Sequence, residues 1–245
     1  MKKFKRRMYL KLRKRLGKDP EVFAPHGVPI RVPEDTDLAI TYLLAKGRPY
    51  EEEEAGMVQG FMAPGTNVIE LGGCMGIVSA LIRKTIGPDA QHIIVEANPR
   101  LVPICEANAT IGAAEGKTRV LAAAIDYSGA ETVTFAAGPN AHMGRVGAGG
   151  EAGVTVPALQ LSELAKTLPD GPFALVCDIE GGELSLFAAE RDLLNRIDLI
   201  VLETHPHIYA GGAADMAPMM AAICDSGLEL VKEEKDVICF QRKPR

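Results

Sequence analysis

The stretch Val68-Ile69-Glu70-Leu71-Gly72-Gly73-Cys74-Met75-Gly76 constrains this chain more than any other. An apolar run carrying one acid ends in a glycine-rich turn, and a helical pattern follows. That order reads as buried strand, tight turn and helix. A second apolar run, Ile93-Ile94-Val95, ends in Glu96, twenty residues beyond Gly76. In an open α/β sheet the ligand lies past the carboxyl ends of the strands, where glycine lets backbone come close. Acids at the ends of two successive strands therefore describe a nucleotide-type pocket of unusual charge.

The spacing Glu70-x-Gly72-x-x-x-Gly76 departs from the G-x-G-x-x-G of dinucleotide sites, which leave a helix N-terminus free for pyrophosphate. Glu70 would repel such a group by about 4 kcal/mol at ~4 Å and an effective dielectric of ~20. A ligand with a cationic head and no phosphate suits the pocket better. S-adenosylmethionine, with its ammonium and sulfonium, is the expected occupant, and S-adenosylhomocysteine its product. Glu96 is placed to accept both ribose hydroxyls. Gly72, Gly73, Cys74, Met75 and Gly76, with Ala97 and Asn98 after Glu96, are the expected contacts. Cys74 is expected to pack rather than react. A plainer reading makes Glu70 a helix cap and Glu96 a loop acid, but their order at successive strand ends speaks against it. NAD would satisfy Glu96 and not Glu70. A nicotinamide-dependent oxidoreductase is thus the alternative enzyme, and a cofactor-binding scaffold the alternative without chemistry.

At 245 residues the chain is long enough for one α/β domain and a short appendage. Its five cysteines are scattered, with no C-x-x-C, and read as reduced thiols rather than disulfides or zinc ligands. No apolar stretch is long enough to span a bilayer, and the basic N-terminus lacks a signal peptide's apolar run. A cytoplasmic location is the expectation.

The net charge of -5 hides an asymmetry: residues 1–18 hold ten Lys/Arg and no acid, leaving 17 basic against 32 acidic residues elsewhere. Met1, Phe4, Met8, Leu12 and Leu16 recur in this arm at helical spacing, which makes a basic amphipathic helix. One fate for it is attachment to an anionic membrane surface or an acidic partner protein. The other, which the sequence favours, is an arm left loose or packed on its own acidic body or a second subunit. An acidic body with no Trp and few Tyr and Phe makes nucleic acid a poor partner. The oligomeric state stays open.

Residues 19–60 read as a lead-in: a connector or hairpin about His26-Gly27-Val28-Pro29, then helices, with Glu51 to Glu54 as a solvated helix start. From Asn67, apolar runs near 67–71, 91–96, 118–124, 172–178 and 197–203 alternate with helical patterns near 75–86, 99–112, 159–167, 182–195 and 213–226. This alternation predicts a mainly parallel sheet with helices on both faces, built by residues 61–245. Near 131–157 two short β runs flank a glycine-rich loop, and the chain closes on a β-hairpin.

In-line displacement at a methyl carbon needs alignment, exclusion of water and, for a hydroxyl nucleophile, a proton acceptor. The run Phe173 to Cys177 delivers Asp178, with Glu180 and Glu183 around Gly181-Gly182; the run Ile197 to Leu202 delivers Glu203, Thr204 and His205. Adjacent strands would set these groups side by side. His205 is the expected proton-transfer group because imidazole titrates near neutrality, with Asp178 and Glu203 beside it. Asp178 is also expected at the cofactor and Glu180 at the substrate, whereas Glu183 reads as structural. His142, in the insertion, is placed to line the acceptor site. The carboxylates admit a divalent metal without favouring it, and no metal ligand is assigned.

The same residues carry a family likeness. The segment around Glu70 resembles motif I of class I methyltransferases, and the chain resembles the FkbM-type methyltransferases. The likeness runs from Tyr50-Glu51 through Asn67-Val68, Glu96-Ala97-Asn98-Pro99, Asn108, Ala123-Ala124-Ile125 and Leu159 to Leu164. It closes with Asp178-Ile179-Glu180-Gly181-Gly182-Glu183, its most specific mark, and Glu203-Thr204-His205. The resemblance implies a Rossmann-like sheet with an antiparallel C-terminal strand. It also implies Ala124 and Ile125 at the cofactor, Tyr50 over it, and O-methylation of a small-molecule or glycan acceptor. Glu70 stands where the family usually has Asp, and Gly73-Cys74 where it has Ala-Asn.

Overall fold

The computed structural model describes residues 2–34, 36–136, 144–146 and 153–243. Helix α1 (Lys2–Arg15) leads into a small antiparallel hairpin of β1 (Val22–Phe23) and β2 (Ile30–Arg31), with Val22 opposite Arg31. Helices α2 (Leu38–Ala45) and α3 (Glu52–Phe61) follow. Asp37 caps α2, its carboxylate accepting from the Ala39 and Ile40 amides.

The body alternates as its apolar runs predict: β3 (Val68–Leu71), α4 (Ile77–Ile86), β4 (His92–Glu96), α5 (Val102–Ala109) and β5 (Thr118–Ala122). The insertion comes next, with β6 (Ala124–Ile125), β7 (Thr132–Ala136), β8 (Arg145–Val146) and β9 (Val154–Leu159), and then α6 (Leu161–Ala165). The chain resumes with β10 (Phe173–Cys177), α7 (Glu183–Ala189), β11 (Ile197–Glu203), α8 (Met216–Asp225), β12 (Leu228–Glu234) and β13 (Val237–Arg242). The predicted helices near 99–112, 159–167 and 182–195 are each longer than the helix observed. Pro103 sits in the first turn of α5, where its missing amide costs nothing, so α5 starts there rather than at Pro99.

Seven strands form one sheet in the order β12-β13-β11-β10-β3-β4-β5. Pairings among β11, β10, β3, β4 and β5 are parallel, and β13 runs antiparallel to β11. This is the mainly parallel Rossmann-like sheet with a reversed terminal strand. In β4 and β10 every residue is buried, as expected of strands covered on both faces. Alternation divides the core. Val68, Ala174, Val176 and Val201 pack under α2, α3 and α4, whereas Ile69, Leu175, Cys177 and Ile200 pack against α6, α7 and α8. The insertion makes a second sheet, β6-β9-β7-β8, over the carboxyl edge of the first.

One polar side chain ties the lead-in to the glycine turn. Asn108, fully buried in α5, accepts from the Arg31 amide at 2.8 Å and donates to the Arg31 carbonyl at 2.9 Å and the Met75 carbonyl at 2.8 Å. Asn108→Ala removes all three bonds and leaves backbone groups unpaired. It is expected to lower unfolding free energy by about 2–4 kcal/mol in denaturant titration, where a loss below ~1 kcal/mol would show the hairpin is held elsewhere.

Candidate active site

Parallel strands bring their ends to one edge, and there a cleft opens between the turn after β3, the ends of β4 and β10, and the insertion. Gly72, Cys74, Glu96, Ala97, Ala124, Ile125 and Asp178, all expected at the cofactor, line it, as does Glu180, expected at the substrate. A larger surface depression, about 1010 Å³, lies at the opposite edge beside Asn67, Phe173 and Asn195. The chemistry decides between them: the carboxylate and imidazole groups gather at the first.

The glycines of the turn serve packing rather than approach to a ligand. A Cβ on Gly72, whose φ is +94°, would meet the Asp178 carbonyl oxygen at 1.8 Å. One on Gly73 would press on Ile94 and Cys105, and one on Gly76 on the Cys105 backbone. The turn is thus wedged between β10 and α5, and it offers the cleft its backbone. The Cys74 amide donates to Glu96 at 2.6 Å, and the Asn98 amide donates to the other oxygen of that carboxylate at 2.7 Å. Burial pushes the Glu96 carboxyl up to about 7 against these two donors. The Cys74 thiol is held well above its usual range by burial and the charges of Glu51 and Glu96, which keeps it protonated and unreactive.

Glu70 corrects the sequence reading. Its carboxylate does not face the cleft: it is 3% exposed, accepts from the Ser79 hydroxyl at 2.7 Å, and lies 2.7 Å from His92 Nε2. Alternation along β3 sets it on the face of Val68, under α4. Its charge still reaches the cleft through space, raising the proton affinity of Glu51 and Glu96. Met75 is a fully buried core residue, and Gly73, Gly76 and Asn98 shape the turn and the β4 end without lining the cleft.

Glu51 and Glu54 are a second correction. They are not a solvated helix start: Glu51 lines the cleft and Glu54 is 6% exposed. Burial, opposed by a hydrogen bond from Tyr50 and aided by the charges of Glu203 and Glu70, pushes Glu51 up to about 8. The only sequence signal for this was adjacency to Tyr50. That tyrosine packs half-buried on the core, its hydroxyl 3.9 Å from Cys74 Sγ. His142 lies outside the described residues.

Glu51, Cys74 and Glu180 have φ of 48°, 46° and 51°, three of the five non-glycine residues in the left-handed region among those described. All three line the cleft, where such strain is usually found.

Beside the cleft, His205 sits among four carboxylates. Its Nδ1 is 2.9 Å from Glu183 Oε1, and its Nε2 lies 3.4 Å from Asp178, 3.7 Å from Glu180 and 3.9 Å from Glu203. Glu183 is fully buried and also accepts from the Tyr209 hydroxyl at 3.1 Å and the Ile179 and Gly181 amides at 3.3 Å and 3.2 Å. These bonds fix it in place. Burial works to lower the His205 pKa, but Glu183, Asp178 and Glu180 prevail and raise it to about 9. Such a pKa favours the imidazolium at neutral pH, whereas the sequence reading expected a histidine poised to accept a proton. Asp178 is held well above the carboxylate range by burial and the charges of Glu203 and Glu51, with His205 pulling the other way. Burial also raises Glu203. Asp178 Oδ1 is buried without a hydrogen-bond partner. Asp178, Glu183 and His205 place ligand atoms within 4.8 Å of one another, a set able to hold a divalent ion, and the imidazolium supplies positive charge at the same place.

Fold and site together define a Rossmann-like methyltransferase. A family profile described as the FkbM methyltransferase domain matches residues 70–230, and the chain belongs to that family. It is an S-adenosylmethionine-dependent methyltransferase. No curated protein matches the sequence significantly. Among solved structures, fibrillarin from Aeropyrum pernix with natively bound S-adenosyl-L-methionine is 13% identical, over 77% of this chain and 73% of its own, with a TM-score of 0.44. A putative rRNA-methylase from Clostridium thermocellum is 8% identical over 78% and 94%, with a TM-score of 0.49. The N-methyltransferase NodS from Bradyrhizobium japonicum is 10% identical over 78% and 95%, at 0.44. At this level of similarity no property passes from those proteins to this chain.

The His205 assignment has a pH signature. A group whose folded pKa exceeds its usual 6.5 stabilises fully below that value, and the contribution fades as pH rises through about 9. The stability gap between wild type and His205→Asn is expected to be widest at and below about pH 6.5 and to close as pH rises through about 9. A gap independent of pH in thermal melts would mean the ring is neutral.

Proposed function

We propose that this chain methylates a hydroxyl oxygen of a small-molecule or carbohydrate-type acceptor. The observation that carries the reading is the carboxylate group Asp178, Glu180 and Glu203 at the ends of two adjacent strands, gathered within 3.9 Å of His205 Nε2. Carboxylates accept hydrogen bonds from hydroxyls, and a polyol suits them where a phosphorylated acceptor would be repelled.

The residues present fit the cofactor. Glu96, fixed by two backbone donors, keeps lone pairs for a ribose diol, and the turn at Gly72 and Cys74 with Ala97, Ala124 and Ile125 would complete its seat. A cationic donor beside these acids would favour their ionised form. Bound S-adenosylmethionine would supply an activated methyl on sulfur, with a neutral thioether as the leaving group.

The chain's own groups do the rest. Asp178 takes the hydroxyl proton: its elevated pKa brings a carboxylate closer to the basicity the task needs. Glu180 and Glu203 orient the acceptor. The His205 ring lies beside the carboxylates and opposes the rise in the Asp178 pKa, which makes it a positioning residue rather than the base. The alternative enzyme, a nicotinamide oxidoreductase, could use Glu96 for a ribose but would bring a pyrophosphate into a cleft lined by several acids.

Two measurements test this. Calorimetry is expected to show binding of S-adenosylhomocysteine and none of NAD; the reverse would end the assignment. With a panel of sugars and small alcohols as acceptors, Asp178→Asn is expected to lower kcat about 10²–10⁴-fold while S-adenosylhomocysteine affinity changes little. Equal losses in both would make Asp178 a cofactor ligand only.

A further inference from the structure

Helix α1 is docked by one side only. Leu10 is 6% exposed, and the Tyr9 hydroxyl donates to the Ala45 carbonyl at 3.3 Å while its ring meets Tyr42 edge-on at 5.4 Å. Arg13 donates to the Val22 carbonyl at 3.1 Å and lies over the Phe23 ring at 4.7 Å. The helix is thus fixed on α2 and the β1–β2 hairpin, yet its most apolar stripe points away. Phe4, Met8, Leu12 and Leu16 are 72%, 58%, 53% and 72% exposed, four of the nine exposed large apolar side chains among the described residues. Spaced by four, they advance by about 40° per step and share one face. Lys5, Lys11 and Arg15 are exposed on the same side.

We propose that this face seats the enzyme on a bilayer rich in anionic lipid. Charge complementarity selects that occupant: residues 1–18 carry ten basic groups and no acid, while the rest of the chain has a balance of 17 basic to 32 acidic. An anionic surface repels the body and attracts this helix, which therefore sets the orientation. Stable surface binding takes two signals, and the apolar stripe and the basic cluster supply one each. The helix has 14 residues, about 21 Å of length, and no helix among the described residues is long and apolar enough to cross a membrane. It lies in the interface plane.

The docked layer also reaches the cleft. The His26 ring, between β1 and β2, contacts the Tyr50 carbonyl at 2.7 Å, and the next residue is Glu51. Helix α1 connects to the cleft rim through the hairpin: Arg13 bonds the Val22 carbonyl, His26 meets the Tyr50 carbonyl, and Glu51 follows. The proposal itself does not depend on which acceptor is methylated.

The test is co-sedimentation of the full chain with vesicles of phosphatidylcholine, alone or with phosphatidylglycerol. Wild type is expected to pellet with the mixed vesicles only, and to be released by high salt. Phe4→Gln with Leu12→Gln keeps every charge and is expected to weaken vesicle binding about tenfold or more; Lys5→Glu with Lys11→Glu should do the same. All four positions are exposed, so S-adenosylhomocysteine binding should be unchanged, which confirms folded protein. Three outcomes overturn the proposal: wild type stays in the supernatant, the Gln variant binds as wild type does, or light scattering shows a dimer that the Gln variant abolishes. The first would leave an acidic protein as the partner and the last a second copy of this chain.

Discussion

Acidic side chains gathered at one edge of a parallel sheet are the constraint to which the rest of this structure answers. Glu51, Glu96, Asp178, Glu180 and Glu203 crowd around one opening because parallel strands and the start of α3 all end there. Crowded acids raise one another's proton affinity, and burial adds to the effect. The His205 imidazolium set among them offsets it. Its orientation rests on Glu183, which is buried and saturated by bonds from the ring, a tyrosine and two amides. Removing either half of that buried pair would leave the other uncompensated, which is costlier than the pair itself is favourable.

A second ionisable group works below the cleft rather than in it. Glu70 links Ser79 of α4 to His92 of β4, and so fixes helix and strand on either side of the glycine turn. The turn is held from above by Glu96, which accepts the Cys74 amide, and from the side by Asn108, which accepts nothing from it but donates to Met75. The cofactor seat is thus built mainly from backbone whose position is set by buried side chains.

Much of this was legible in the chain. Apolar runs of five residues bounded by glycine, alternating with helical patterns, specify the sheet, and the terminal hairpin specifies its reversed edge. The cluster of Asp178, Glu180, Glu203 and His205 was legible too, since adjacent parallel strands must deliver their ends together. Two things were not. Glu70 looked like a strand tip, yet Leu71 is still strand, and alternation turns the acid under α4. Glu51 and Glu54 looked like helix-start acids, because nothing local says that α3 aims its first turn at the sheet edge.

The left-handed backbone at Glu51, Cys74 and Glu180 has one further consequence. Glycine would adopt these angles freely, so side chains there store strain of roughly 1–2 kcal/mol each. The surrounding fold must hold that strain whether or not a ligand is present. The rim is therefore a mould cast in advance, and loading the donor should demand little reordering of the polypeptide. An engineer who relaxed the three positions would gain a hardier scaffold and lose the fixed shape that makes the opening selective.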